Sequence, residues 1–195
     1  KTKKDLKKFV NFPLELYKDN ENYIPALASS ELNMFNREKN GAYEYCDSVI
    51  ILAYKENKVV GRLVGIINYK YNEKVNEKHL RFTHFDVIDD IEVSKAMFEY
   101  IGNWGKEKGM DAINGPVGYT DFDLQGLLSE GYDHLAPMAS LYNYPYYVRH
   151  MDAYGLVKEN DWIEMQIYPP QELPERFGRM AKIVAERSHV RVDKV

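Results

Sequence analysis

The chain has a single cysteine, Cys46, so no internal disulfide can form and no thiolate zinc site can be assembled. Long apolar runs are missing too. No stretch approaches the roughly 20 residues that span a bilayer, and none reads as a secretory leader. Charge of one sign is not in excess: the formal net charge of −4 offers no basic surface to nucleic acid or an anionic membrane. These absences lead to the expectation of a soluble, cytoplasmic protein with a small-molecule ligand. The 5 histidines include no helical His-x-x-x-His pair and have no cysteine nearby, so no metal is expected. No Gly-x-Ser-x-Gly elbow, P-loop or dinucleotide fingerprint occurs.

What is present is an ordinary globular composition, 45% hydrophobic and 29% charged, with 16 tyrosines against 8 phenylalanines and 2 tryptophans. Apolar residues at helical spacing predict a helix over 3–18, which Pro13 should break near Asn11–Phe12. A second short helix is expected over 26–35. Runs rich in β-branched residues, 48–54 and 59–68, read as a hairpin joined by Lys55–Glu56–Asn57–Lys58. Strict alternation over 80–87 predicts a strand with Leu80, Phe82, His84 and Asp86 on one face and Arg81, Thr83, Phe85 and Val87 on the other. Asp89–Asp90 should cap a helix over 91–108 that buries Val93, Met97, Ile101 and Trp104 and ends at Gly109. A short strand over 111–114, a helix over 145–154 ended by Gly155, a strand over 161–168 and a helix carrying Leu173, Phe177, Met180 and Val184 complete the pattern. The last residues, 190–195, alternate like the start of a strand, as if more chain followed Val195. The expected organisation is one α/β domain over 1–168, then a helix and strand start over 169–195 that link it to a further half.

The stretch 115–144 has little periodicity, which in a compact domain marks a functional segment. The ligand-facing surface is expected from Asn114 to Tyr147. Tyr119-Thr-Asp-Phe-Asp123 offers two carboxylates, a hydroxyl and two rings, and Tyr142, Tyr144, Tyr146 and Tyr147 cluster beyond it. Tyrosines pack a ring while the hydroxyl seeks a polar partner, which suits a pocket rim and equally a plain interface. Candidate substrate contacts are Tyr119, Asp121, Asp123, Tyr142, Asn143 and Tyr146.

The element order, with Phe12-Pro-Leu-Glu-Leu-Tyr-Lys18, Ile24-Pro-Ala-Leu27, Asn114-Gly-Pro116, Gly126-Leu-Leu-Ser-Glu-Gly-Tyr-Asp133 and Tyr142-Asn-Tyr-Pro-Tyr-Tyr147, resembles the N-terminal half of a bacterial family of GNAT-like proteins of unassigned role. The resemblance implies a GNAT-like acyl-CoA N-acyltransferase fold, a mixed and mostly antiparallel sheet flanked by helices. It also implies acetyl-CoA as donor, a small amine as acceptor, and packing against a second GNAT-like domain or a second copy. On this pattern the cofactor would meet Val87 and Ile88 at the end of the third strand. Asp86 would serve as base and Tyr147 as a displaced acid. The chain departs from the family in two places. Val87-Ile-Asp-Asp-Ile-Glu92 has neither the glycines nor the basic residue of a pyrophosphate turn. Met151 stands where the family often has its proton-donating tyrosine. The alternative is therefore a non-catalytic module that binds a ligand or packs on a partner.

Overall fold

The computed structural model describes residues 2–136 and 140–188. The chain divides into two compact units, Lys1–Val157 and Lys158–Val195, the first ending short of the boundary expected at 168. The first unit opens with α1 (Lys3–Leu16) and α2 (Ala28–Met34), then a short 3-10 turn over Gly41–Glu44. Next come β1 (Cys46–Lys55), β2 (Lys58–Asn68), α3 (Tyr69–Val75), β3 (His79–Val87), α4 (Ile91–Glu107), β4 (Ala112–Asn114) and α5 (Tyr146–Tyr154). The sheet runs β1-β2-β3-β4; its first two pairings are antiparallel and β3–β4 is parallel. It is the mixed, mostly antiparallel sheet with flanking helices that the sequence led us to expect.

The hairpin turns on Glu56 and Asn57 alone, both at positive φ (49° and 66°), a twist that suits flanking strands. β2 is central and buried from Val60 to Asn68. On one face Leu63, Leu80, Phe82, Phe85 and Val87 pack with Met97, Phe98 and Ile101 of α4 and with Tyr147 and Met151 of α5. On the other, Val64 and Ile66 pack with Phe9 and Val10 of α1, Phe35 and Tyr119.

Three sequence expectations need correction, and one segment gains an element. Strict alternation along β3 fails, because the register shifts where Arg62 faces Asp86 but Val64 faces Thr83. Two residues, His84 and Phe85, thus oppose Leu63 alone, a β-bulge with His84 at φ 52°. Phe85 and Val87 are thereby moved to the face of Leu80 and Phe82, while His84 and Asp86 stay together opposite them.

Pro13 does not break α1, which runs through it. A proline there leaves the carbonyl of Phe9 without its helical donor, and Arg62 Nη1 donates to that carbonyl at 3.1 Å instead. The segment Tyr69–Val75, to which the sequence pattern assigned no element, is a helix capped by Asn68, whose side chain accepts the Tyr71 amide, and ended by Asn76 at φ 57°. The strand expected over 161–168 is not formed, and no described strand pairs with those residues. Alternation alone does not make a strand, because the ladder hydrogen bonds come from a neighbour.

In the second unit the described helix is α6 (Glu175–Ser188), with Phe177, Met180 and Val184 exposed. The strand start expected over 190–195 lies outside the described residues.

Candidate functional site

Arg62 interrupts the apolar run of β2 and falls in the interior, on the face beneath α1 and α2. A guanidinium buried there is tolerated only if its fork finds partners. Nε donates to Asp86 Oδ2 at 2.6 Å and Nη1 to Glu31 Oε2 at 3.1 Å, while the group stacks 5.0 Å from the Phe9 ring. The other oxygen of Glu31 lies 3.0 Å from His84 Nε2. Burial pushes the Glu31 carboxyl up, but the His84 hydrogen bond and the charges of His84 and Arg62 outweigh burial and hold it at about 2.

Asp86 meets two tyrosines on its second oxygen. Tyr17, the C-cap of α1, donates to Oδ1 at 3.0 Å, and Tyr147 of α5 lies 3.4 Å from the same atom. The two hydroxyls are 2.8 Å apart, and the Val87 amide donates to Tyr147 at 3.1 Å. The donors can therefore line up in one direction, from the Val87 amide through Tyr147 and Tyr17 to Asp86. Burial first, then the Asp86 charge, raises both phenols well above their ordinary range, so each is a neutral donor. Asp86 and Tyr147, singled out from the sequence, are thus brought together.

β3 and β4 pair only over His79–Arg81 with Ala112–Asn114. Beyond that the strands part, because the chain turns away at Gly115, where a Cβ would stand 2.6 Å from the Phe82 carbonyl. Val117 donates to that carbonyl at 2.8 Å. Further along, Tyr147 takes the Val87 amide and Tyr146 donates to the Val87 carbonyl at 2.7 Å. Two neighbouring hydroxyls thus replace a strand at Val87. Ile88, the other expected cofactor contact, turns its amide to the Val60 carbonyl at 3.0 Å.

Carboxylates crowd the start of α4, and each is engaged. Asp90 is the N-cap, accepting the Glu92 amide at 3.1 Å and pairing with Lys55 at 2.8 Å. Asp89 is bound by Arg149 and lies 3.1 Å from His150 Nε2; the His150 hydrogen bond, aided by Arg149, keeps its carboxyl below the ordinary range. His150 Nδ1 lies 2.7 Å from Ser94 Oγ. Serine, histidine and aspartate stand in a line, but Ser94 and His150 are 0% exposed, so no substrate meets the hydroxyl. The line ties α5 to α4. This helix start presents acid where a pyrophosphate would need amides and base.

The remaining candidates divide. Tyr142 accepts from Asn20 and donates to the Tyr132 carbonyl, each at 3.0 Å, and Asn143 clasps both the amide and carbonyl of Leu128. They brace the loop that brings in Tyr146 and Tyr147. Tyr119 is carried elsewhere: Asn68 donates to its carbonyl at 3.2 Å, and Asn68 lies roughly 20 Å along β2 from Arg62 at about 3.3 Å per residue. Asp123 accepts the Thr120 amide at 2.9 Å in a local turn, and Asp121 is exposed. The stretch from Asn114 to Tyr147 therefore meets Asp86 through its last residues and not through Tyr119–Asp123.

Arg62, Glu31 and Tyr17 were not singled out from the sequence. The Arg62 signal was legible, since a lone charge within Val59-Val60-Gly61-Arg62-Leu63-Val64 needs a buried partner; the identity of that partner was not. A depression of about 20 Å³ reaches Glu31 and Arg62 between Val10, Pro13 and Leu14 of α1 and Tyr23 and Ala26 of the connection that follows. A wider cleft of about 210 Å³, lined by Gly102, Gly105 and Tyr154, lies between α4 and β4, and no member of the Asp86 network lines it. Among the described residues, no cluster of three or more metal-ligating side chains occurs, and no helix is long and apolar enough to cross a membrane.

No family model matches the chain. It is 33% identical over 160 residues to Protein YghO of Escherichia coli, covering 82% of this chain and 40% of that protein. It is 25% identical over 186 residues to a bacterial ceramide synthase of Caulobacter vibrioides, covering 93% of this chain and 48% of that one. The chain thus spans less than half the length of either relative. Among solved structures it is similar to a predicted acetyltransferase with acetyl-CoA from Clostridium acetobutylicum, with a TM-score of 0.51 and 14% identity over 85% of this chain and 92% of that one. The likeness shows a GNAT-like fold.

Proposed function

We propose that this chain serves N-acyl transfer, in which an amine attacks the thioester of an acyl-CoA. The observation that carries the reading is the parting of β3 and β4 beyond Arg81, which leaves the Val87 amide and carbonyl to side chains alone. A strand edge of that kind suits an extended, amide-bearing arm such as pantetheine. The named ceramide synthase supports the reaction class, since ceramide is an N-acylated amine. In this reading Tyr146, whose ring lies 5.1 Å from that of the fully buried Tyr147, leaves Val87 as the arm enters and so uncovers the Tyr147 hydroxyl. Asp86 accepts the amine proton and Tyr147 gives one to the departing thiolate, while Tyr17, within 3.0 Å of both, returns the proton between them.

A second reading is favoured by Asp89 and Asp90 at the start of α4 and by the hydroxyls that already hold Val87. Here the donor groove of this chain is closed, and the chain is a GNAT-like half that binds a ligand or packs on a partner. Calorimetry with acetyl-CoA and palmitoyl-CoA separates the two. Saturable heat with either thioester, together with thiol release when an amine is added, supports the first reading. No heat at high micromolar thioester leaves the second, and binding gained by Tyr146→Ala then identifies the tyrosine as the closure.

A further inference from the structure

Two arginines stand on the same face of the sheet and are buried alike, Arg62 on β2 and Arg81 on β3, each 7% exposed. Arg81 lies across from Ile66, four residues along β2 from Arg62, which is roughly 13 Å at about 3.3 Å per residue. It therefore stands apart from the Asp86 network. Arg62 meets two carboxylates; Arg81 meets none. Among the described residues its partners are the Gly118 carbonyl, which accepts from Nη1 at 3.2 Å, and the Tyr71 ring, whose centroid lies 4.4 Å from Cζ. A guanidinium is not deprotonated in proteins, and burying its charge without an anion is costly.

The donors that are left over point to the missing partner. Nη1 is used on Gly118, which leaves Nε and Nη2, the pair that forms the side-on fork of a guanidinium. Neither has a hydrogen-bond partner among the described residues, yet neither is sealed from solvent as His84 Nδ1 and Asn72 Oδ1 are. The side chain is buried while its fork keeps a narrow opening.

The walls of that opening come from α3 and from the stretch after β4. Tyr71, 41% exposed, lies against the guanidinium. Asn68, the N-cap of α3, also donates to the Tyr119 carbonyl and so holds the stretch beside Arg81. The nearby carboxylates are turned elsewhere. Asp47 and Asp123 oppose Arg81 in their effect on the buried Cys46 thiol, so all three charges reach the same place. Asp123, however, accepts the Thr120 amide, and Asp47 is held by Lys108 and Tyr69.

We propose that the Arg81 fork is a binding site for a small, singly charged carboxylate, held by parallel hydrogen bonds from Nε and Nη2 beside the Tyr71 ring. A carboxylate is flat and lies in the plane of the fork. A phosphate would turn an oxygen out of that plane toward Tyr71 and bring a second negative charge toward Asp47 and Asp123. The site needs no acyl transfer and stands or falls without it.

The test uses the whole chain, labelled with nitrogen-15, and acetate as probe. Acetamide, inorganic phosphate and chloride at equal ionic strength are the controls. The Arg81 Nε–H resonance, assigned by its loss in Arg81→Lys, should move saturably with acetate, with half-saturation at about 10 mM or below. Should that variant misfold by circular dichroism, Tyr71→Ala assigns the same resonance through the lost ring current. Acetamide should leave the resonance in place, and phosphate should require about fivefold more ligand or more. In Tyr71→Ala, phosphate should come within about twofold of acetate, since the ring no longer blocks the oxygen out of plane. Arg81→Lys keeps the charge but loses the fork, so acetate followed at the Gly118 amide should weaken about fivefold or more. A shift that does not saturate, or that chloride reproduces, is screening alone and overturns the proposal. Acetate affinity unchanged in Arg81→Lys overturns it too, as does phosphate binding as tightly as acetate in the parent.

Discussion

Arg62 is the residue on which the interior of this protein turns. It holds Asp86 and Glu31 and also answers the Phe9 carbonyl left bare by Pro13, so one side chain settles two buried carboxylates and a helix defect. Arg62→Met should cost about 3–5 kcal/mol in urea unfolding, because it strands those charges in the core. Adding Glu31→Gln and Asp86→Asn to it should recover most of that; a loss under about 1 kcal/mol in the single variant would show the pairs to be incidental. Glu31 makes a pH prediction of its own. Its folded carboxyl sits at about 2 against an ordinary 4.5, so its contribution is full above 4.5 and is lost as pH falls from there toward 2. The shift corresponds to about 3 kcal/mol as an order of magnitude. Unfolding free energy measured along that acid limb should fall less steeply in Glu31→Gln than in the parent.

At the scale of elements, the decisive event is that β3 outruns β4. The three-residue β4 stops where Gly115 sets the backbone against the Phe82 carbonyl at φ 153°. Gly115→Ala should therefore lower stability by about 3 kcal/mol, since its Cβ meets backbone that cannot give way. Gly41 has no atom within 4 Å of a built Cβ, and Gly41→Ala should change stability by about 0.5 kcal/mol or less in the same thermal melts. Equal effects would remove the steric argument. The bulge on β3 matters as much: without it His84 and Phe85 would alternate in step with Phe82, and the polar and apolar faces could not both be satisfied.

As a whole molecule the chain separates into Lys1–Val157, which holds the sheet and the Asp86 network, and Lys158–Val195. Residues 158–174 form neither helix nor strand and are exposed, so their backbone is open to a protease. Brief trypsin digestion should cut at Lys158 before any site within 46–114, and should leave a fragment with the sheet's circular dichroism. Early cleavage inside 46–114 would contradict the division. The isolated chain also presents Phe177, Met180 and Val184 of α6 to solvent, an apolar stripe of the kind that self-associates.

Periodicity, capping residues and turn chemistry are local, and they were enough to place α1, α2, the hairpin, β3, α4 and α5, while Asp86 and Tyr147 were proposed on the family resemblance and are brought together by the fold. Asp90 before Ile91 and Gly155 after Tyr154 ended their helices as their side chains, or lack of one, require. The sequence also showed, at Ile88–Asp90, that a pyrophosphate finds no glycine turn here. The rest depended on contacts between residues far apart in the chain. The repair of Pro13 came from β2, the partner of Arg62 came from α2, and the shift of phase in β3 came from its register against β2. The line from Tyr17 through Tyr147 joins the first helix to the fifth. A buried charge announces in sequence that it must be paired, but which residue pairs it is decided only when the sheet and the helices close on one another.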